Sequence, residues 1–231
     1  MLERVVTSSE YGLTKYSVEA TRRPNGDYLD RMMRRESFQA LWPLFSLATK
    51  PAKEMTESFS ALVHLRPFMA AVGDCRVIHV GDGAHARTGA LFAVKTKAEN
   101  ISVDPVTNEA LVSAWRDKFN IERFSWRKAK LADAAESLCA LSRKPLFVTF
   151  VHAHVDIDEE LRRLKWDVAF TMACCLPGRQ LTRENKPHSE GQDFSVLSDD
   201  RHYQVLVNKR SPLIEQLLPT MKNAASASTG G

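Results

Sequence analysis

Residues 76 to 104 constrain this chain more than any other stretch. The run Arg76-Val77-Ile78-His79-Val80 enters a turn, Gly81-Asp82-Gly83, and small residues up to Gly89 open a helix. A second apolar run, Ile101-Ser102-Val103, ends in Asp104-Pro105. Strand, glycine turn, helix, strand and terminal acid is how a parallel βαβ unit holding a nucleotide-like ligand is written. Gly81 and Gly83 let backbone amides at the helix start meet a polar or anionic ligand with no side chain in the way. Asp104 stands roughly 20 positions further on, where an acid accepts hydrogen bonds from ribose hydroxyls. The plain alternative is a tight strand-to-helix turn with no ligand.

The rest of the chain frames that unit. Residues 1 to 26 are polar and end in a turn signal, Arg22-Arg23-Pro24-Asn25-Gly26. From Asp27, residues Leu29, Met32, Met33, Phe38, Leu41 and Trp42 recur at helical spacing until Pro43 interrupts them. A second helix is expected from Ala52 to Met69, with Pro67 kinking or ending it. After the glycine turn the pattern alternates. Helices are expected at 86–96, 107–119, around Leu131 to Leu141, and at 158–164. Strands are expected near 122–126, at Leu146 to Val151 and at Asp167 to Met172. Leu146 to Val151 is apolar except for Thr149, as in a central strand buried on both faces. Pro177 to Gly191 reads as a polar loop. Phe194 to Leu197 and Tyr203 to Val207 flank Ser198-Asp199-Asp200-Arg201, which predicts an antiparallel hairpin. A short helix from Pro212 and a small-residue tail follow.

Five parallel strands finished by an antiparallel hairpin resemble the class I S-adenosylmethionine-dependent methyltransferases over about residues 70 to 210. The resemblance implies an α/β, Rossmann-like, seven-stranded, mostly parallel sheet of order 3-2-1-4-5-7-6, ending in an antiparallel hairpin. With the pattern of the flanking stretches, this gives an expected N-terminal arm and helical cap at 1–70, a methyltransferase-like domain at 71–222 and a flexible tail at 223–231. The cofactor would be S-adenosylmethionine, held by Gly81, Asp82, Gly83, His85 and Asp104. Two positions depart from the family pattern. His79 stands where the family has an acid two places before the first glycine. His85 stands at its third glycine and would bring bulk near the methionine part of the donor. These departures point to a second expectation, a methyltransferase fold without catalysis that serves in binding or structure. A third comes from Gly81 to Ala86, which also satisfy G-x-G-x-x-G/A. An NAD(P)-dependent enzyme is the expectation if the final hairpin is absent and strand six runs parallel.

Beyond the strongest strand comes His152-Ala153-His154-Val155-Asp156, at the carboxyl end where catalytic groups of open α/β sheets collect. His152 and Asp156 are the candidates to take a proton from an acceptor. Together with Cys174-Cys175, this loop resembles an RNA-modifying branch of the family, which makes RNA the expected acceptor. His152, His154, Asp156 and a cysteine have metal-ligand chemistry, but no tight ligand spacing supports a metal and none is assigned. The clusters Arg31-Arg34-Arg35, Arg123-Arg127-Lys128-Lys130 and Arg179-Arg183-Lys186 would form a phosphate-contacting rim if they flank the strand ends. A net charge of +4 permits such a partner without requiring one. Four cysteines, at 75, 139, 174 and 175, are too few for a disulfide scaffold. No apolar run approaches a membrane span and no secretory segment is visible, so a cytoplasmic, soluble protein is expected.

Overall fold

The computed structural model describes residues 28–33, 37–141, 143–173, 181–199, 201–213 and 215–217. The expected arm, Arg22-Arg23, Arg34-Arg35, Cys174-Cys175, Arg179 and the C-terminal tail lie outside the described residues. In chain order the elements are α1 (Tyr28–Met33), α2 (Ser37–Phe45), α3 (Pro51–Val72), β1 (Arg76–Val80), α4 (Arg87–Lys95), β2 (Glu99–Val103), α5 (Glu109–Lys118) and β3 (Phe124–Arg127). They continue with α6 (Leu131–Cys139), β4 (Leu146–Val151), α7 (Ile157–Arg162), β5 (Val168–Met172), β6 (Ser189–Gln192) and β7 (His202–Val207).

The strands form one seven-stranded sheet of order β3-β2-β1-β4-β5-β7-β6. The first five are parallel, and β7 pairs antiparallel with both β5 and β6. This is the order implied by the resemblance to class I methyltransferases, and the fold is of that Rossmann-like kind. The antiparallel hairpin also removes the condition attached to the nicotinamide reading. β1 and β4 lie side by side at the centre, and every residue of β1 is buried.

Alternation along the strands serves two apolar layers. Val77, Phe147, Val168 and Phe170 face a core built with α1 to α5. Ile78, Val148, Phe150 and Ala169 face one built with α6 and α7. Local chemistry sets several helix starts. Asn108 caps α5 by accepting from the Leu111 amide at 3.2 Å, and Asp156 caps α7 by accepting from Glu159 at 3.0 Å.

Three expectations change. Pro67 lies inside α3 and does not end it. Leu65, Phe68 and Met69 are buried around it, and that packing carries the helix on to Val72. Pro43 likewise sits within α2, which runs on to Phe45 instead of stopping at Trp42. The hairpin partner of β7 is Ser189–Gln192, at the end of the stretch read as a polar loop, and not Phe194 to Leu197. β6 is an edge strand that alternates half-buried and exposed residues, so it needs no apolar pattern. The apolar character of 194–197 has another use. Val196 is fully buried, the Leu197 amide donates to Thr56 Oγ1 at 3.0 Å, and this connection is pinned onto α3. Asp193 completes the pin by accepting from Tyr28 Oη at 2.8 Å and Ser60 Oγ at 2.6 Å. Burial would raise the Asp193 carboxyl, but hydrogen bonds from His64, Ser60 and Tyr28 outweigh it and hold the pKa low. Among the described residues no helix is long and apolar enough to cross a membrane.

Candidate active site

The carboxyl ends of β1, β2 and β4 open into a cleft of about 740 Å³, closed on one side by the N-terminal half of α3. That volume suits a nucleotide-sized ligand. Gly81, Asp82, Gly83, Asp104 and His152 all line it.

The glycine turn is shaped by two different needs. Gly81 has φ +69°, and a Cβ there would stand 2.8 Å from Ala153 Cβ and 2.9 Å from its Cα. The end of β4 therefore presses directly on the turn, and only glycine fits. Gly83 has φ +70° with nothing within 4 Å of an added Cβ, so its freedom serves the backbone conformation alone. Its amide donates to Asp104 Oδ2 at 2.8 Å, while Asp104 Oδ1 accepts from Val106 at 2.8 Å. The acid at the end of β2 is thus tied to the turn after β1.

Asp82 acts mainly on structure. Ala86, the residue before α4, is left-handed and supplies no side-chain cap. Asp82 does so instead, accepting from the Thr88 and Gly89 amides at 2.8 Å each and from Ser102 Oγ at 2.5 Å. Burial pushes its pKa up to about 6, against those hydrogen bonds. Gly89 is the residue that sequence reasoning named but gave no role. A Cβ there would lie 2.3 Å from Ser102 Oγ and 2.8 Å from Phe124, so it allows α4 to settle on the sheet.

The two departures from the family pattern have structural explanations. His79 is buried between its neighbours in the sheet, 1% exposed. Asn100 Nδ2 donates to Ala98 O, so Asn100 Oδ1 faces His79 Nε2 and accepts from it at 3.1 Å. Nδ1 then accepts from Thr149 Oγ1 at 2.8 Å. Burial lowers the His79 pKa to about 4, and the ring is a neutral part of the core. His85 does not line the cleft. Its Nδ1 accepts from Arg87 Nη2 at 2.8 Å, and burial followed by the Arg87 charge holds its pKa down. Arg87 also donates to Leu44 O at 3.0 Å and pairs with Glu54, joining α2, α3 and α4 beside the turn.

At the end of β4 the candidates separate. His152 lines the cleft with a left-handed backbone, φ 59°. Its Nε2 meets Glu57 of α3, a carboxylate with no exposed side-chain surface. Glu57 was missed by sequence reasoning because the partners are 95 positions apart. Asp156 does not line the cleft, and its carboxylate is the α7 cap. Among the described residues no three His, Cys, Asp or Glu side chains gather as a metal site.

No family model matches this chain, and no curated protein matches it. Solved structures do resemble it. MtNAS matches with 11% identity over 78% of this chain and 72% of that one, at a TM-score of 0.47. A putative O-methyltransferase from Klebsiella pneumoniae matches with 13% identity over 80% of this chain and 91% of that one, also at 0.47. The bifunctional kinase-methyltransferase WbdD matches with 16% identity over 69% of this chain and 39% of that one, at 0.41. The fold assignment rests on strand order and the direction of β7, which this chain displays itself.

Proposed function

We propose that this chain is an S-adenosylmethionine-dependent methyltransferase. The carrying observation is the Asp104 carboxylate, bonded to the Gly83 amide at the mouth of a cleft on the carboxyl side of the sheet. Each carboxylate oxygen can accept more than the one bond it now has, so Asp104 can hold ribose hydroxyls without releasing the turn. Val106, Ala129 and Leu131 line the same cleft and supply apolar surface for a purine ring. The bound donor would supply an electrophilic methyl group on a sulfonium. The residues here would orient the donor, and they would exclude water from one side through α3. His152 is the side chain proposed to act at the reacting centre, and Asp156 is proposed to act there only through the loop it caps.

Titration calorimetry with S-adenosylmethionine, S-adenosylhomocysteine and NAD tests this. The first two bind and NAD does not; binding of NAD alone would overturn the proposal. Asp104→Ala weakens donor binding about 10-fold or more, as expected for lost hydrogen bonds to a charged acceptor.

RNA is the acceptor class we propose alongside it, supported by one feature of the site. Arg127, Lys128 and Lys130 are exposed at the carboxyl end of β3, and Lys130 and Lys53 line the cleft. Such a rim gives an affinity that falls steeply with salt. Binding of a single-stranded RNA that is equally tight at low and high salt would remove this support.

A further inference from the structure

We infer that Glu57 is a positioning residue for His152, and that the pair forms a proton-accepting wall of the cleft for an acceptor that presents a hydroxyl. This rests on the methyltransferase reading above. Three observations converge on it. Glu57 stands on α3 with no exposed surface, where a carboxylate is costly to bury without a partner. Its Oε2 is spent on His152 Nε2, while Oε1 has no hydrogen-bond partner among the described residues and lies 3.6 Å from Lys53 Nζ. His152 is one of three non-glycine residues at positive φ among the described residues, and the one of them that lines the cleft. A left-handed histidine aimed at a buried glutamate is a local cost that the surrounding structure sustains, and such costs concentrate at functional sites.

The chemistry follows from the pairing. A carboxylate at Nε2 selects the tautomer with its proton there, which leaves the basic lone pair on Nδ1. The same carboxylate stabilises the imidazolium once a second proton arrives, as the buried aspartate does in a serine protease triad. In the step proposed, the acceptor O–H bond breaks and its proton goes to His152 Nδ1. The oxygen keeps the electron pair and takes the methyl group from sulfur, which retains the electrons of the broken C–S bond. The proton then leaves His152 to solvent through the cleft.

Other charged groups around the cleft act on this titration. Glu54 is held by Arg87, and Asp82 and Asp104 are engaged with backbone amides. Lys53 and Lys130 oppose a second positive charge, whereas Glu160 favours it and is itself within 3.4 Å of Arg163. Glu57 is in direct contact with the ring.

The test is an NMR titration of the imidazoles in the full chain, with His152→Asn used to assign the His152 signal. Glu57→Gln lowers the His152 midpoint by about one pH unit or more, because a neutral amide no longer favours the imidazolium. An unchanged midpoint in a folded Glu57→Gln chain overturns the proposal. Should that variant fail to fold, His152→Asn decides. It is expected to keep donor affinity within about twofold and to lose turnover at least 100-fold, in the range removed with a general base. Retained turnover overturns this inference and leaves the methyltransferase reading standing. Absence of donor binding in the unmodified chain sinks that reading and leaves the Glu57–His152 coupling measurable by NMR.

Discussion

The two walls of the cleft are built in opposite ways. The wall around Gly81, Gly83 and Asp104 is made by neighbours in sequence: Gly83 and Asp104 are 21 positions apart and joined through a single βαβ unit. The wall around His152 is made by a contact across 95 positions, from α3 to the end of β4. A local unit writes its geometry into spacing, because the turn, the helix and the next strand each leave a residue signature. A distant pair leaves none until the sheet has brought its members together. The two walls meet at Gly81, where Ala153 closes on the turn.

Gly81→Val is the most direct way to break that junction. Its Cβ would enter the 2.8 Å gap to Ala153, at a φ that β-branched residues avoid. Overpacking and left-handed strain together predict a loss of about 3–5 kcal/mol, read by urea unfolding. A loss under about 1 kcal/mol would show that the walls are not in contact as described.

His79 bridges the walls inside the sheet through Asn100 on one side and Thr149 on the other. Its folded pKa, about 4, lies below the ordinary 6.5. The unfolded chain therefore binds more protons between those values. Stability from this group is fully present above pH 6.5 and is lost as pH falls towards 4, by on the order of 3 kcal/mol. Asp82 works the other way. Its pKa of about 6 lies above 3.8, so its contribution to stability falls as pH rises across that window. Comparing denaturation at pH 7 and 4.5 in the unmodified chain and in His79→Gln separates the two: the variant loses less on acidification. Equal losses would mean that His79 is not a buried neutral ring.

The smallest effect sharpens the assignment of His152. Asp156→Ala removes the α7 cap and should cost about 1 kcal/mol. A fall in turnover beyond what that lost stability explains would return Asp156 to the reacting centre.

Much of this was legible in advance for a physical reason. The apolar run at Leu146 to Val151 and the acid after Val103 are patterns set by burial and by strand ends, and both stand where expected. The hairpin was legible in kind but not in place. Phe194 to Leu197 look like a strand because they are apolar, yet they are apolar in order to plug against α3. Ser189–Gln192 look like loop because an edge strand needs only backbone pairing. His79 and His85 were read against a family motif, and motif position does not say which way a side chain turns. Glu57 was hidden by ordinary appearance: one acid in a helix is normally a solvent-facing residue.

The N-terminal half of α3 carries five separate attachments within two turns, between Glu54 and Ser60. Glu54 reaches Arg87, Thr56 takes the Leu197 amide, Glu57 meets His152, Ser58 shares a hydrogen bond with Thr88 at 3.1 Å, and Ser60 holds Asp193. No small displacement can release one of these without straining the rest. The helix that precedes the whole sheet in the chain is therefore fastened like its innermost member. Its central amide hydrogens should be among the last to exchange with solvent, leaving only when the entire molecule opens.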